Sequence, residues 1–175
     1  MLKSLSANIA SEAEDEATEI TRFILHEKEI SHCRGCFDCW IRTPGECVID
    51  DFGRELNCLF VKTDLIIFIG PVFQGCHSTL IKKVFDRSMP FLQPFFRKVG
   101  GEVHHKMRYA KPLDMVFIGI LEQRDERQEA TFRKLSSRNA VNFGVRSHKV
   151  LFHCRQDDTA DVIDETVAII REFSR

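Results

Sequence analysis

Four of the seven cysteines fall within sixteen residues, His32 to Cys47, in the stretch HCRGCFDCWIRTPGEC. Cys33, Cys36 and Cys39 are each two residues apart, and Cys47 follows after seven. Such compact spacing lets several thiolates turn toward one centre. Gly35 frees the backbone between the first two, and the Pro44–Gly45 turn returns the chain to the fourth. Three chemistries are open. Cysteine runs with repeated two-residue gaps hold four-iron clusters. Zinc accepts four thiolates in a tetrahedron. Reduced thiols can also simply pack in a loop or form a labile redox pair. A cluster usually has a partner cofactor to pass electrons to, whereas zinc needs none.

A second stretch, GPVFQGCHS from Gly70 to Ser78, combines a strand-ending Gly–Pro with Cys76 and His77. The other chemically able residues have plainer expectations. Cys58 lies in a helix beside Leu59 and is expected to be packed, as is Cys154 at a strand end. His104 and His105 are adjacent, cannot easily aim at one metal, and are expected in a loop. Asp50–Asp51 should cap the helix that follows. Lys82 belongs on a solvated helix face. Asp86–Arg87 is expected to be a structural pair, holding the helix or a subunit contact.

The elements that must position these residues are legible in the hydrophobic pattern. Leu2, Leu5 and Ile9 fall at helical spacing, with Ala13 extending the stripe, so residues 1–17 read as an amphipathic helix. Ile20, Phe23, Ile24 and Leu25 predict a short strand. A helix follows over 51–63, with Leu56, Leu59 and Phe60 inward. Leu65–Ile69 are continuously apolar, as in a parallel strand covered on both faces. Ser78 can cap a helix lined by Leu80, Ile81, Val84 and Phe85. Residues 90–112 have no usable period and read as a long connection. Residues 113–120 predict another buried strand. A helix with Phe132, Leu135 and Phe143 inward ends near Gly144. The stretch 148–154 is a last strand, and a last helix is capped by Asp157 or Asp158. Helices alternating with apolar strands imply a layered α/β sheet with crossovers on both faces. Ligands of such sheets sit beyond the carboxyl ends of the strands. The cysteine loop and the Gly70–Ser78 loop both leave strands there, so a site between them is expected.

Composition narrows the function. The chain has 175 residues, 43 % of them hydrophobic, with 25 basic and 26 acidic side chains. That balance argues against nucleic acid as a partner. No apolar run approaches the ~20 residues that span a bilayer, so no membrane is expected. No signal-peptide core is visible, which places the chain in the cytoplasm. Structural disulfides are disfavoured there, and an odd cysteine count fits metal or redox chemistry better.

The stretches CRGCFDCWIRTPGECVIDD and DLIIFIGPVFQGCHSTLIKKVFDR resemble consecutive blocks of the flavodoxin-like NAD(P)H-dependent FMN reductases. The resemblance is closest to the branch that includes the iron–sulfur flavoproteins, and is sharp from Cys33 to Arg87. It implies a three-layer α/β fold with a five-stranded parallel sheet of order 2-1-3-4-5 and FMN at its carboxyl edge. NADH or NADPH would be co-substrate. Electrons would pass to a quinone, a flavin, another small acceptor or a redox protein. Pro71, Val72, Phe73, Gln74 and Gly75 would meet the flavin, their backbone groups facing the polar edge of the ring. Phe73 would pack beside the isoalloxazine or in the core. Trp40 would cover the same pocket or bury the cysteine loop. His77 would reach the flavin or its substrate, or be a plain loop residue. Cys33, Cys36, Cys39 and Cys47 would hold a [4Fe-4S] cluster. Relatives commonly form homodimers or larger homo-oligomers.

One departure is at the front. Family members open with a strand and a small-residue loop that cradles the FMN phosphate at a helix N-terminus. Here MLKSLSANIASEA matches the helix after that loop. The expectation is one flavodoxin-like domain over 1–175, incomplete at its N-terminus, with 32–50 as its cysteine-rich loop. The absent strand is the shared neighbour of Ile20–Leu25 and Leu65–Ile69. The phosphate cradle would be absent with it.

Overall fold

The computed structural model of the protein describes residues 1–173. In chain order it contains α1 (Leu2–Ala13), α2 (Asp38–Ile41), α3 (Phe52–Lys62), β1 (Leu65–Pro71), α4 (Thr79–Arg87), β2 (Leu92–Val99), β3 (Glu102–Met107), β4 (Asp114–Leu121), α5 (Glu126–Phe143), β5 (Ser147–Cys154) and α6 (Ala160–Phe173). Single 3₁₀ turns sit at Leu25–Glu27 and Met89–Phe91.

Three parallel strands make the main sheet, in the order β1–β4–β5. The central strand β4 is buried along its whole length, which its run DMVFIGIL requires. Alternate residues feed two cores. Met115 and Phe117 face Phe52, Leu56, Phe60, Ile81, Val84, Phe132 and Phe143 of α3, α4 and α5. Val116, Ile118 and Ile120 face Leu5 and Ile9 of α1 and the apolar stripe of α6. The result is a three-layer α/β arrangement, as the sequence implies. The helix ends carry their expected signals. Ser78 Oγ accepts from Ile81 N–H at 3.4 Å at the start of α4. Gly144 closes α5 in the left-handed region. Asp125 caps α5 through the N–H groups of Arg127 and Gln128.

Two expectations are corrected. Ile20–Leu25 is not a strand. Residues 20–24 have no regular secondary structure and Leu25 opens the 3₁₀ turn; Ile20 packs on the α1/α6 core while Phe23 and Leu25 pack on the other. A strand needs a neighbouring ladder, and among the described residues none is beside it. Residues 90–112 are not a featureless connection but hold an antiparallel hairpin, β2–β3. Its turn is Gly100–Gly101, both at positive φ, which a two-residue hairpin turn demands. The register shifts between Leu92 and Phe96, around Pro94.

The strand β1 is an edge of the sheet among the described residues. Val72 N–H donates to Ile120 O and Asp114 N–H to Asp64 O. Even-numbered residues of β1 therefore direct their backbone groups to β4, and Leu65, Ile67 and Ile69 direct theirs to the open edge. Native-state hydrogen exchange should find the amides of Ile67 and Ile69 exchanging much faster than those of Ile66, Phe68 and Gly70. Equal protection along the strand would mean that this edge is paired in solution.

Candidate functional site

The cysteine loop has little secondary structure of its own, only the four residues of α2. Its neck is closed by Arg87 at the end of α4. Nη1 of Arg87 donates to Asp51 Oδ2 at 2.7 Å and to Ser31 O at 3.0 Å. Nη2 donates to Asp51 Oδ1 at 2.7 Å and to Ile49 O at 3.3 Å. Ser31 N–H in turn donates to Asp51 Oδ2 at 2.8 Å. Both side chains of the pair are buried. Burial alone would raise the Asp51 carboxyl, but the Arg87 guanidinium and the Ser31 N–H outweigh it and hold the pKa down at about 2. Two expectations change here. Asp51 stands at the N-cap of α3 but makes no side-chain cap; its carboxylate serves the loop neck instead. Arg87 pairs with Asp51 and not with Asp86, which pairs with Lys82 one turn back.

Above this neck lies a cavity of about 660 Å³. Cys33, Cys36, Cys39 and Cys47 all line it, with Arg87, Phe85 and Lys82 of α4, Asn139 and Asn142 of α5, and His105 of the hairpin. Cys33 and Cys36 are exposed, and Cys39 and Cys47 are half-buried. Burial, and then the charges of Cys47, Cys33 and Cys36, push the Cys39 thiol up to about 11. The Cys39 sulfur is thus within electrostatic reach of the other three. Among the described residues no three Cys, His, Asp or Glu side chains are gathered closely enough to hold an ion as they stand. The donor set itself suits a thiolate-bound centre, and the two outermost thiols sit on either side of Gly35, at φ +64°, where the chain can turn.

Trp40 braces this loop. Its Nε1 donates to Met89 O at 3.1 Å, and its ring lies 4.9 Å from that of His105 and 5.3 Å from that of Phe37. Of the isolated cysteines, Cys154 is buried as expected, but Cys58 is exposed. The inner face of α3 is Phe52, Gly53, Leu56, Asn57 and Phe60, and Cys58 falls opposite it.

The Pro71–Gly75 loop forms a separate feature and does not line the cavity. Phe73 and Cys76 exchange N–H···O bonds of 3.0 and 2.8 Å across a tight turn. Gln74 and Gly75 occupy its centre at φ +49° and +79°. The tip leans on α5, because a Cβ on Gly75 would stand 2.5 Å from Thr131 Cβ. The N–H groups of Val72, Phe73 and Cys76 are satisfied within the protein. Those of Gln74 and Gly75 have no protein partner among the described residues. Phe73 is 63 % exposed, so its ring is no part of the core.

The sequence is 35 % identical over 91 residues to an iron–sulfur flavoprotein of Methanocaldococcus jannaschii. It is 30 % identical over 92 residues to one of Methanosarcina thermophila. Each match takes in 51 % of this chain and 46 % or 47 % of the relative. The chain thus spans about half the length of the curated relatives it matches. No family model matches. The fold superposes on an NAD(P)H:quinone oxidoreductase from Methanothermobacter marburgensis with a TM-score of 0.60, at 14 % identity over 99 % of this chain and 89 % of that one. It also superposes on an FMN-dependent NADH-azoreductase from Bacillus anthracis, with a TM-score of 0.62 at 9 % identity over 99 % and 88 % of the chains. Over half its length the sequence is thus similar to iron–sulfur flavoproteins, and its fold is that of the flavodoxin-like reductases.

His77 packs against rings of the core rather than standing free in the loop. Its ring is 4.4 Å from that of Phe132, 5.2 Å from Phe85 and 5.6 Å from Phe117. Nε2 lies 3.3 Å from Ser136 Oγ, and Nδ1 is buried with no partner. Burial lowers its pKa to about 4. The folded state therefore binds fewer protons than the unfolded chain between pH 6.5 and 4. Stability from this group is fully present above about pH 6.5 and is lost as pH falls toward 4. Asp51 contributes separately and lower, below about pH 4. Urea melts at pH 7.0, 5.5 and 4.5 should show stability falling across this window, and His77→Phe should flatten the fall. An unchanged slope in the variant would place the proton uptake elsewhere.

Proposed function

We propose that this chain works as a flavin-dependent NAD(P)H oxidoreductase that passes electrons from a nicotinamide through FMN to a small acceptor such as a quinone or a flavin. The reading rests on one observation above the others. At the carboxyl end of a parallel strand, the Pro71–Gly75 loop offers an exposed aromatic ring, Phe73, and two free amides, those of Gln74 and Gly75. When bound, FMN would supply hydride acceptance from the nicotinamide and onward transfer of one or two electrons. The protein's part is to hold and orient. Phe73 would lie against the ring system, and the Gln74 and Gly75 N–H groups would face its polar edge. Pro71 and Val72, locked to β4 through Ile120, would keep that turn in place. No side chain is assigned as acid or base.

A second reading, an electron carrier with an iron–sulfur centre exchanging electrons with a redox protein, is favoured by the four cysteines that line one cavity. Cys33, Cys36, Cys39 and Cys47 would hold the metal. The wider proposal includes a homo-oligomer, at least a dimer, acting in a reducing, cytoplasmic compartment. No described helix is long and apolar enough to cross a membrane.

Phe73→Ala should weaken FMN about tenfold, roughly 1.4 kcal/mol, in a flavin-fluorescence titration. Its denaturant melt should move by no more than about 0.5 kcal/mol, because the ring is exposed. Unchanged affinity would remove Phe73 from the flavin site. For the second reading, protein purified without oxygen should carry about four irons per chain, the content of one four-iron cluster. Cys36→Ala should lose most of them. Zinc in place of iron, or no metal at all, would rule the cluster out.

A further inference from the structure

The hairpin β2–β3 stands outside the three-layer body and pairs with no strand of the main sheet among the described residues. One of its faces is used. Arg97 Nη2 donates to Val141 O at 3.2 Å, and His104 Nδ1 lies 3.0 Å from Asn142 Oδ1, so that face lies on α5. The other face is that of Phe96 and His105, which stand opposite each other across the strands, with Val103 two residues from His105 on the same side. It begins a row of rings. Phe96 is 4.8 Å from His105, His105 is 4.9 Å from Trp40, and Trp40 is 5.3 Å from Phe37, centroid to centroid. The row therefore runs from the hairpin onto the cysteine loop. Its ends are open: Phe96 is 62 % exposed, Val103 63 %, Phe37 50 % and Ile41, next to Trp40, 76 %. A two-stranded hairpin is marginal in water unless something packs on its apolar face. A contiguous apolar strip of this kind marks a contact surface, whereas singly scattered apolar residues do not.

We propose that this aromatic strip is a self-association face, on which a second copy of the chain seats the same strip about a twofold axis. The inference rests on the reading of the chain as a homo-oligomer and names the surface that makes it one. The first support is area. With Phe95, 64 % exposed beside Phe96, the open side chains present roughly 500 Å² of apolar surface, on a scale of about 150–250 Å² for a whole aromatic side chain. A standard-size interface takes about 800 Å² from each partner, about 60 % of it apolar, so the apolar share it needs is roughly the same. The second support is charge. Asp38 and Glu102, the carboxylates beside the strip, are already paired with Arg42 and Arg138, so covering the strip buries no bare carboxylate. Lys98, opposite Val103 on β2, is exposed and falls at the polar rim. A twofold contact sets one patch against its own copy, so an apolar strip is matched there without a second surface. Strand addition is not the mode. Pro94 has no N–H to give and blunts the edge of β2. The contact is side chain on side chain.

The test is sedimentation equilibrium of the full chain at micromolar concentrations, in reducing buffer so that cysteine cross-links do not contribute. Wild type should show the mass of two chains. Phe96→Asp on the hairpin and Ile41→Asp on α2 should each keep the circular dichroism of wild type, because both positions are exposed. Each should raise the dissociation constant of the dimer about 30-fold or more, the scale of losing a central anchor of an interface. Phe73→Asp, which puts the same charge on an exposed ring away from the strip, should leave the mass at two chains. A wild-type dimer that both strip variants leave intact overturns this face and leaves the homo-oligomer standing. Equal dissociation by Phe73→Asp also overturns it, since the effect would then be one of charge and not of place. A wild type with the mass of one chain at every concentration overturns both readings. So does a single chain that instead binds phosphatidylglycerol vesicles through Phe96, which would give the strip to a lipid surface. Should Phe96→Asp fail to fold, Ile41→Asp decides alone.

Discussion

The bidentate pair between Arg87 and Asp51 is the interaction on which the cysteine loop depends. It joins residues 36 apart, and through Ser31 and Ile49 it gathers both ends of a long segment at one guanidinium. Closing a loop of this length costs conformational entropy that four residues of α2 cannot offset. The pair is almost fully buried, so its net worth against an apolar alternative is small. Its removal on one side only is another matter, because an unpaired buried charge costs about 3–5 kcal/mol. What the pair gives is a single geometry. The carboxylate is bound on both oxygens, the backbone carbonyls take the remaining Nη donors, and the loop leaves its neck in one direction.

That role explains two features that look anomalous alone. Asp51 sits where a helix cap belongs and does not cap α3, because its oxygens already accept from Arg87 and Ser31. The first turn of α3 instead carries Arg54, paired with Glu46 and Asp50 of the cysteine loop. Gly53 is buried against this pair, where an added Cβ would stand 3.2 Å from Arg87 Cζ. Trp40 then braces the far side of the loop against Met89 and His105. The loop is thus fastened at its neck by charge and across its width by a ring and one N–H.

The layered fold was legible because its signals are local. The run Leu65–Ile69, the all-apolar β4, the Ser78 cap and the Gly144 stop each require only their own neighbourhood. The failures share one cause, dependence on a partner far along the chain. Ile20–Leu25 has the composition of a strand, but composition cannot supply a ladder. The hairpin leaves no apolar alternation because Phe95, Phe96 and Val103 are all exposed and a register shift at Pro94 interrupts it; the Gly100–Gly101 pair is its one local signal. Asp86 was the local decoy for Arg87. A carboxylate one residue away is the obvious partner in a sequence, yet on a helix it points elsewhere and meets Lys82 at i,i+4. The cysteines were found by spacing, but their shared cavity with α4, α5 and the hairpin was not, since its other walls come from residues 82 to 143.

The same helix ties the two candidate centres together. The Phe73–Cys76 turn leads into α4 through His77 and the Ser78 cap, and Arg87 ends it. Nine residues at 1.5 Å each make α4 about 14 Å long. Its inner face is set by Ile81 and Val84, and by Phe85 against Phe68, Phe117 and His77. A packed helix of this kind moves as a body, because the interior around it has no slack. The position of the Phe73 turn and the position of the loop neck are therefore not independent. Any shift of Arg87 is transmitted to the base of the Phe73 turn, and any displacement of the turn is felt at the neck. A rigid strut between the Phe73 turn and the neck of the cysteine loop fixes the one quantity that neither loop could hold alone: their separation.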